Sequence, residues 1–317
     1  MITFEAVRKQ FPDGTVAVDD LHLELPTGRT TVFVGPSGCG KTTSLRMINR
    51  MVEPTGGTVT VDGRDVRTQD PARLRRGIGY VIQHAGLFPH RTVLDNVLTV
   101  PRLVGRGRDR TRALELLERV GLPAALADRY PAQLSGGQQQ RVGVARALAA
   151  DPPVLLMDEP FSAVDPVVRG QLQQEFLRLQ AELGKTIAIV THDIDEAVVL
   201  GDRIAVFRAG GHLAQVGTPE ELLTKPADEF VRGFVGRDRG YRGLSFLSSD
   251  DLPVRPLDGA SPAPGPDGVF RAGDSLRTVV DLTLTSPSGT AVKVDGDGTP
   301  IGTVHHRDVV DLLETRR

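Results

Sequence analysis

A glycine-rich loop between a strand and a helix constrains the fold of this 317-residue chain more than any other feature. Residues 35–43 read Gly-Pro-Ser-Gly-Cys-Gly-Lys-Thr-Thr and contain the complete pattern Gly-x-x-x-x-Gly-Lys-[Ser/Thr]. The apolar, β-branched run Thr30–Val34 precedes the loop, and a helical pattern over Thr42–Arg50 follows it. A phosphate-binding loop requires this order of strand, loop and helix. The sequence therefore predicts an α/β fold that binds a nucleotide here.

Each residue type in the loop has an expected task. The glycines allow the backbone amides to point inward at a phosphate chain, and the following helix adds its positive end. Lys41 is expected to bind the β- and γ-phosphates, and the Thr42 hydroxyl is expected to ligate Mg²⁺. The predicted nucleotide-binding residues of the loop are Gly35, Pro36, Ser37, Gly38, Cys39, Gly40, Lys41, Thr42 and Thr43.

Composition excludes several classes of function. Lys and Arg number 38 and Asp and Glu number 40, so the formal charge of −2 gives no electrostatic case for nucleic acid. The single cysteine, Cys39, excludes an internal disulfide and fits a reducing cytoplasm. No apolar run reaches the ~18 residues of a membrane span. We therefore expect any role at a membrane to come through a partner chain.

Strand-like and helix-like segments alternate along the chain, which predicts a mainly parallel α/β sheet. No strand pattern occurs between Gln83 and Asp151, so about 87–150 is predicted to be an inserted helical subdomain. The predicted strands are Ile2–Val7, Leu21–Leu25, Thr30–Val34, Val59–Val61, Gly79–Ile82, Val154–Met157, Thr186–Val190 and Arg203–Phe207. The predicted helices are Thr42–Met51, Arg110–Val120, Gly137–Ala149, Pro166–Leu183 and Ile194–Leu200.

A change of composition near position 237 predicts a second domain. Residues 248–274 are dense in Asp, Ser, Pro and Gly, which indicates a boundary or a weakly ordered segment. We assign 1–236 to the nucleotide-binding domain, 237–243 to a linker and 244–317 to a small α+β domain.

Two carboxylates follow an apolar strand at Val154–Glu159. Asp158, at the strand tip, is predicted to bind Mg²⁺, and Glu159 to act as the general base toward a water in line with the γ-phosphate. Solvated acids at an ordinary strand end are the alternative. The presence of the phosphate loop in the same chain favours the functional interpretation.

A second candidate anion site opens a helix at Leu-Ser-Gly-Gly-Gln-Gln, residues 134–139. Ser135 suits a helix N-cap, and Gly136 and Gly137 leave backbone amides uncovered for a phosphate, with Gln138 beside them. A well-capped helix without further function is the alternative. One chain cannot easily bring both the phosphate loop and this second anion site to one γ-phosphate. We therefore predict a two-fold dimer in which the second anion site of each chain completes the nucleotide site of its partner.

The order of these motifs resembles that of ATP-binding cassette (ABC) transporter ATPases, which are P-loop NTPases. The resemblance covers roughly residues 1–236 and rests on the phosphate loop, Gln83, Leu-Ser-Gly-Gly-Gln, Asp158-Glu159-Pro160 and Thr191-His192-Asp193. It implies ATP and Mg²⁺ as ligands and a pair of cassettes as the working unit.

The resemblance also implies further residue roles. Gln83 corresponds to the glutamine that senses Mg²⁺ and the attacking water, and His192 to the switch histidine at the γ-phosphate. Asp165, in Ser162-Ala163-Val164-Asp165, corresponds to the aspartate that crosses the dimer seam, although the family usually has Leu at position 164. Phe11 suits the aromatic that stacks on adenine; packing of Phe11 against the sheet is the alternative.

Other short segments of the sequence resemble those of bacterial importer ATPases. The segment Leu87-Phe88-Pro89-His90, followed by Thr92-Val93 and Asn96, resembles a pattern of importer cassettes that forms part of the groove for a permease helix. Packing of Leu87 and Phe88 under the helical subdomain is the alternative. The sequences of residues 47–50, 82–84, 86–90 and 226–231 resemble those of the ATPases of glycine betaine, carnitine, choline and proline importers. The implied partners are a second ATPase subunit, a membrane permease and, through it, a substrate-binding protein, at the cytoplasmic face of the membrane. An ATPase for another solute, including an exporter, and a soluble ABC ATPase remain alternatives.

The tail, about 244–315, resembles one cystathionine-β-synthase-type (CBS) repeat. Ser275–Leu284 and Arg307–Leu313 are predicted helices, and Ala291–Val294 and Ile301–Val304 are predicted strands. His305 stands where nucleotide-binding repeats favour Ser or Thr, three residues before Asp308. A structural or dimerising remnant is therefore favoured over an adenylate sensor.

Overall fold

The computed structural model describes residues 1–83, 85–162, 164–236, 238–257 and 268–315. Two compact units divide the chain, Met1–Leu222 and Leu223–Arg317. The division precedes the predicted boundary at 236. Residues 223–236 therefore belong to the second unit, in which the Arg242 guanidinium donates to the carbonyl of Val235.

Thirteen named strands lie in the described residues, and central ones are buried on both faces. They are β1 Ile2–Gln10, β2 Val16–Leu25, β3 Thr30–Val34, β4 Gly56–Val61, β5 Arg64–Asp65, β6 Ile78–Val81, β7 Val154–Asp158, β8 Thr186–Val190, β9 Arg203–Arg208, β10 His212–Gly217, β11 Val269–Phe270, β12 Thr290–Val294 and β13 Pro300–His305.

The α-helices in the described residues follow the same numbering. They are α1 Lys41–Ile48, α2 Pro71–Arg76, α3 Val93–Val97, α4 Thr99–Leu103, α5 Arg110–Arg119, α6 Gly136–Leu148, α7 Pro166–Leu183, α8 Ile194–Leu200, α9 Pro219–Thr224, α10 Glu229–Val235, α11 Arg239–Gly243, α12 Leu276–Thr285 and α13 His306–Thr315. No described helix is both long enough and apolar enough to cross a bilayer.

The main sheet of the first unit has six strands in the order β10-β9-β3-β8-β7-β6. All neighbours pair in parallel except β10 with β9. Every residue of β3, β7 and β8 is buried, as expected for parallel strands covered on both faces. The predicted parallel α/β architecture is confirmed.

The first unit also contains a separate antiparallel sheet in the order β2-β1-β4-β5, which was not predicted. The predicted strands Ile2–Val7, Leu21–Leu25 and Val59–Val61 are present and lie in this sheet. A tight turn joins β1 to β2, where Phe11 N–H donates to the Thr15 carbonyl at 2.9 Å. So short a connection can join only antiparallel neighbours.

The predicted inserted helical subdomain is present as α3–α6 between β6 and β7. Its own apolar core includes Val97 on α3, Leu117 on α5 and Val142 on α6, each 0% exposed. The short helices α2, α3 and α4 were not predicted, because five- or six-residue segments carry too little periodicity.

The second unit contains a small three-stranded sheet in the order β11-β12-β13 with α12 and α13. Its core includes Phe270, Leu276, Ala291 and Val304. The predicted helices and strands of the tail are present with bounds shifted by one or two residues. The CBS-like character stays a prediction, and part of the predicted weakly ordered segment, 258–267, lies outside the described residues.

Candidate nucleotide site

The phosphate loop leaves β3 at Val34 and enters α1 at Lys41. Gly35 and Gly40 have φ values of +148° and +93°. A Cβ at Gly35 would lie 2.2 Å from the carbonyl oxygen of Phe207, and a Cβ at Gly40 would lie 2.2 Å from that of Ala17. The loop can therefore take this curved path only with glycine at both positions.

The ammonium group of Lys41 lies over the loop. It donates to the carbonyl oxygens of Gly35 at 2.7 Å and Pro36 at 2.9 Å, and the residue is only 6% exposed. The buried Cys39 thiol lies 3.7 Å from the same nitrogen. Lysine charge, glycine backbone and the start of α1 together form a cradle suited to polyphosphate.

Thr42 and Asp158 meet at the carboxyl end of β7. The Thr42 hydroxyl donates to Asp158 Oδ1 at 3.0 Å, and Asp158 is 6% exposed. Mg²⁺ is commonly held by one or two carboxylates together with substrate phosphates. The described residues contain no group of three or more His, Cys, Asp or Glu side chains that could hold a metal. The residues present fit Mg²⁺.

Three predicted catalytic residues converge just beyond the ends of neighbouring parallel strands. Gln83 follows β6, Glu159 follows β7 and His192 follows β8. Gln83 Nε2 donates to Glu159 Oε2 at 3.1 Å, and His192 Nδ1 lies 3.5 Å from the same oxygen. The carboxyl ends of parallel strands share one edge of the sheet, which explains why residues far apart in sequence meet here.

Ser162 belongs to this cluster although the sequence assigned it no role. Its hydroxyl donates to the Glu159 carbonyl at 3.0 Å, and Gln83 Nε2 lies 3.4 Å from its Oγ. The sequence feature that could have indicated this contact is the position of Ser162 three residues after Glu159, within the same turn. Arg46 and Tyr80, which both contact Asp158, were also missed.

The Leu-Ser-Gly-Gly-Gln segment opens α6 as predicted. Ser135 caps the helix by accepting from Gln138 N–H at 3.3 Å, and Gln138 Oε1 accepts from Ser135 N–H at 2.9 Å. Ser135 and Gly136 are exposed. Within the described residues, no hydrogen bond joins Ser135, Gly136, Gly137 or Gln138 to the phosphate loop.

Asp165 and Phe11 were predicted to act at the dimer seam and at the adenine. Asp165 is exposed immediately before α7, and its neighbour Ala163 lies outside the described residues. Phe11 lies in the turn after β1, is 36% exposed, and has Lys9 Nζ 5.2 Å from its ring centroid. This exposure favours a stacking surface over packing in the core.

The segment after Gln83 is clamped to α6. Arg146 donates to the carbonyl oxygens of Ala85 and Gly86, each at 2.6 Å, and burial lowers the pKa of its guanidinium. A buried charge is tolerated only when it is well bonded. The loop that carries Gln83 is therefore fixed to the helix that begins at Ser135.

In the predicted docking segment, one of the two apolar side chains is partly buried and the other is exposed. Leu87 packs against the core of the helical subdomain, whereas Phe88 is 38% exposed and its ring lies 4.8 Å from the Arg91 guanidinium carbon. His84 lies outside the described residues. Only Phe88 therefore offers apolar surface from this pair.

Comparisons with known proteins agree with this geometry. A family model for the ABC transporter matches residues 18–162. The glycine betaine uptake system ATP-binding protein YehX of Escherichia coli (strain K12) is 47% identical over 314 residues, covering 98% of this chain and 99% of that protein. The chain belongs to the ABC transporter family.

Other members extend the comparison. The osmoprotectant import ATP-binding protein OsmV of Salmonella typhimurium is 46% identical over 97% of this chain and 80% of its own length. The choline transport ATP-binding protein OpuBA of Bacillus subtilis is 52% identical over 75% of this chain and 63% of its own length.

A solved cassette shows the same fold. The ATP-binding cassette MJ0796, in a dimeric post-hydrolysis state with ADP and Pi, matches with a TM-score of 0.63 and 36% identity, covering 69% of this chain and 99% of that one. Membership of this family makes the chain an ABC-type ATPase.

Proposed function

We propose that this chain is the ATP-hydrolysing subunit of an importer that takes up a quaternary-amine osmoprotectant of the betaine, carnitine or choline type. The observation that carries the ATPase part is the convergence of Gln83 and His192 on one oxygen of Glu159. The substrate class is supported by relatives named for glycine betaine, osmoprotectant and choline transport.

ATP would be held through its phosphates by the loop at 35–43. Lys41 would exchange its bonds to the Gly35 and Pro36 carbonyls for phosphate oxygens, which are stronger partners for an ammonium group. Thr42 and Asp158 would hold Mg²⁺, which neutralises charge on the β- and γ-phosphates when bound. Phe11 would supply the stacking surface for adenine.

Glu159 would activate the attacking water. Gln83 and His192 both lie against Oε2, so Oε1 is the oxygen that can accept the proton from water. His192 is 59% exposed at its side chain and would reach the γ-phosphate from the solvent side. Phosphoryl transfer depends mainly on such positioning and on electrostatic stabilisation.

A second cassette would complete the site. The start of α6, with exposed Ser135 and Gly136 followed by half-buried Gly137 and Gln138, would face the γ-phosphate held by the partner copy, and Asp165 would lie at the seam. The pair would then be in equilibrium between an open and a closed arrangement that differ by a rigid-body movement. Bound ATP would favour the closed arrangement, and hydrolysis would allow the pair to open.

The permease would dock beside Phe88. Asn96 is fully buried and fixes the Phe88 segment, since Asn96 Oδ1 accepts from Phe88 N–H at 2.7 Å and Asn96 Nδ2 donates to the Thr92 carbonyl at 2.9 Å. A rigid loop with one exposed aromatic ring suits a protein partner. Through the permease, the chain would lie at the cytoplasmic face of the membrane and respond to a substrate-binding protein.

The second unit would act as a structural or dimerising CBS-like repeat. Both oxygens of Asp308 have partners, because His305 N–H donates to Oδ2 at 2.8 Å and Arg255 Nη2 lies 2.5 Å from Oδ1. Asp308 is 4% exposed. A carboxylate engaged in this way favours an internal role over binding of a ribose.

Solute-stimulated hydrolysis tests the proposal. The chain is reconstituted in proteoliposomes with its permease and substrate-binding protein, and phosphate release is measured with glycine betaine, carnitine, choline and, as an unrelated solute, maltose. We expect stimulation by a quaternary amine and none by maltose, with Lys41→Ala inactive throughout. Stimulation by maltose alone would exclude the substrate class, and absence of hydrolysis by the complete complex would exclude the ATPase assignment.

A further inference from the structure

The two oxygens of the buried Asp158 carboxylate have different partners. Oδ1 accepts from the Thr42 hydroxyl at 3.0 Å. Oδ2 accepts from Arg46 Nη2 at 3.2 Å and from the Tyr80 hydroxyl at 3.4 Å. Arg46 Nε also donates to the Tyr80 oxygen at 3.4 Å, which closes a triangle of three side chains.

Ordinary secondary structure brings this triangle together. Thr42 and Arg46 are four residues apart on α1, so they lie on one face of that helix. Tyr80 on β6 pairs with Leu156 on β7, and Asp158 is two residues further along β7, which places it on the same face of the sheet as Leu156. All four contacting side chains thus meet between α1 and the carboxyl ends of β6 and β7.

We propose that Arg46 and Tyr80 are positioning residues that hold Asp158 Oδ2, so that only Oδ1, beside Thr42, is presented to Mg²⁺. The inference rests on the proposed function of this site. With Oδ2 engaged by a guanidinium and a hydroxyl, the carboxylate cannot rotate to offer both oxygens. Asp158 and Thr42 would thereby supply one carboxylate oxygen and one hydroxyl, which leaves room for phosphate and water ligands.

Arg46 could in principle affect the metal in two opposite ways. As an orienting group it strengthens metal binding, whereas as a cation beside the site it repels Mg²⁺. The Asp158 carboxylate would lie between Arg46, on Oδ2, and a metal ion bound at Oδ1, and would screen this repulsion. Loss of a hydrogen bond that orients a metal ligand typically costs about 10–100-fold in metal affinity. We therefore expect loss of Arg46 to weaken metal binding.

Metal binding measured apart from turnover tests the inference. The full chain is saturated with ADP, and Mn²⁺ binding is followed by electron paramagnetic resonance in the native protein, Arg46→Met, Arg46→Lys and Tyr80→Phe. We expect Arg46→Met to weaken Mn²⁺ binding by about 10–100-fold. Tyr80→Phe should weaken it less. Arg46→Lys should not restore native affinity, because an ammonium lacks the two-nitrogen fork that bridges Tyr80 and Asp158.

Matched controls separate this effect from general destabilisation. Arg50→Met removes an arginine that bonds Glu53 and the Gln69 carbonyl, and Tyr241→Phe removes a hydroxyl that donates to Asp281 in the second unit. Both controls should bind Mn²⁺ normally. A trinitrophenyl-ATP titration in EDTA should give the native affinity for Arg46→Met and Tyr80→Phe.

Two outcomes would overturn the inference, and they can be told apart. Unchanged or tighter Mn²⁺ binding in Arg46→Met, in a native protein that binds both probes, would refute the positioning role alone. Failure of the native chain itself to bind trinitrophenyl-ATP or Mn²⁺ would refute the proposed function, and the inference with it.

Discussion

At the residue scale, Glu159 is held in an uncommon backbone conformation. Its φ of +47° is in the left-handed region, which costs a residue other than glycine about 1–3 kcal/mol. The Glu159 N–H donates to the Val190 carbonyl at 2.9 Å, and the Ser162 hydroxyl donates to the Glu159 carbonyl. These contacts fix the turn so that the carboxylate meets Gln83 and His192.

Substitution of Glu159 tests its role as general base. Glu159→Gln keeps the shape of the side chain but removes the group that accepts the proton, so we expect turnover to fall by about 10²–10⁴-fold. Nucleotide affinity should stay near native, because Lys41 and the loop are unchanged. Phosphate release and equilibrium nucleotide binding measure the two quantities. Glu182→Gln, on the exposed end of α7, is the matched control, and near-native turnover in Glu159→Gln would contradict the assignment.

Much of the site could be predicted from sequence because its parts are local motifs. Lys41, Thr42 and Asp158 belong to short patterns whose spacing already implies their chemistry, and the structure brings Thr42 and Asp158 within hydrogen-bond distance. Arg46 and Tyr80 could not be found in this way. Their role depends on the pairing of β6 with β7, which no pattern in either segment specifies.

At the element scale, the order of the parallel strands determines which residues meet at the site. Because β6, β7 and β8 are adjacent and parallel, the segments after them emerge at one edge. Strand positions were predictable from apolar, β-branched runs, but strand partners were not. The sequence analysis therefore recognised the strands β1 and β2 but did not predict the separate antiparallel sheet that they form with β4 and β5.

Asn96, on α3, determines the shape of the Phe88 segment. Asn96→Ala would leave the Phe88 N–H and several carbonyls without their buried partner, and we expect the free energy of unfolding to fall by about 1–3 kcal/mol. ATP hydrolysis stimulated through the permease should fall, while nucleotide binding persists. Urea denaturation and the proteoliposome assay measure these effects.

A control distinguishes loss of the docking loop from loss of stability. Asn49→Ala removes another buried asparagine, whose Oδ1 accepts from Met51 N–H at 3.1 Å in the first unit. It should destabilise the chain but leave permease coupling intact. Equal loss of coupling in both variants would contradict a specific role for the Phe88 segment.

At the scale of the whole molecule, the proposed function divides each ATP site between two copies of the chain. The phosphate loop with Glu159 would form one half of a site, and the start of α6 at Ser135 and Gly136 would form the other. Arg146 donates to the carbonyl oxygens of Ala85 and Gly86 and so connects the segment after Gln83 to α6. Two copies arranged about a two-fold axis would satisfy both halves at once.

The oligomeric state of Glu159→Gln with nucleotide tests this central claim most directly. Light scattering during size-exclusion chromatography gives the molar mass of the full chain with ATP and Mg²⁺, with ADP, and without nucleotide. Because the variant is expected to bind ATP and to hydrolyse it very slowly, we predict twice the mass of one chain with ATP, and the mass of a single chain in the other two conditions. A single-chain mass under saturating ATP would contradict a site shared between two copies.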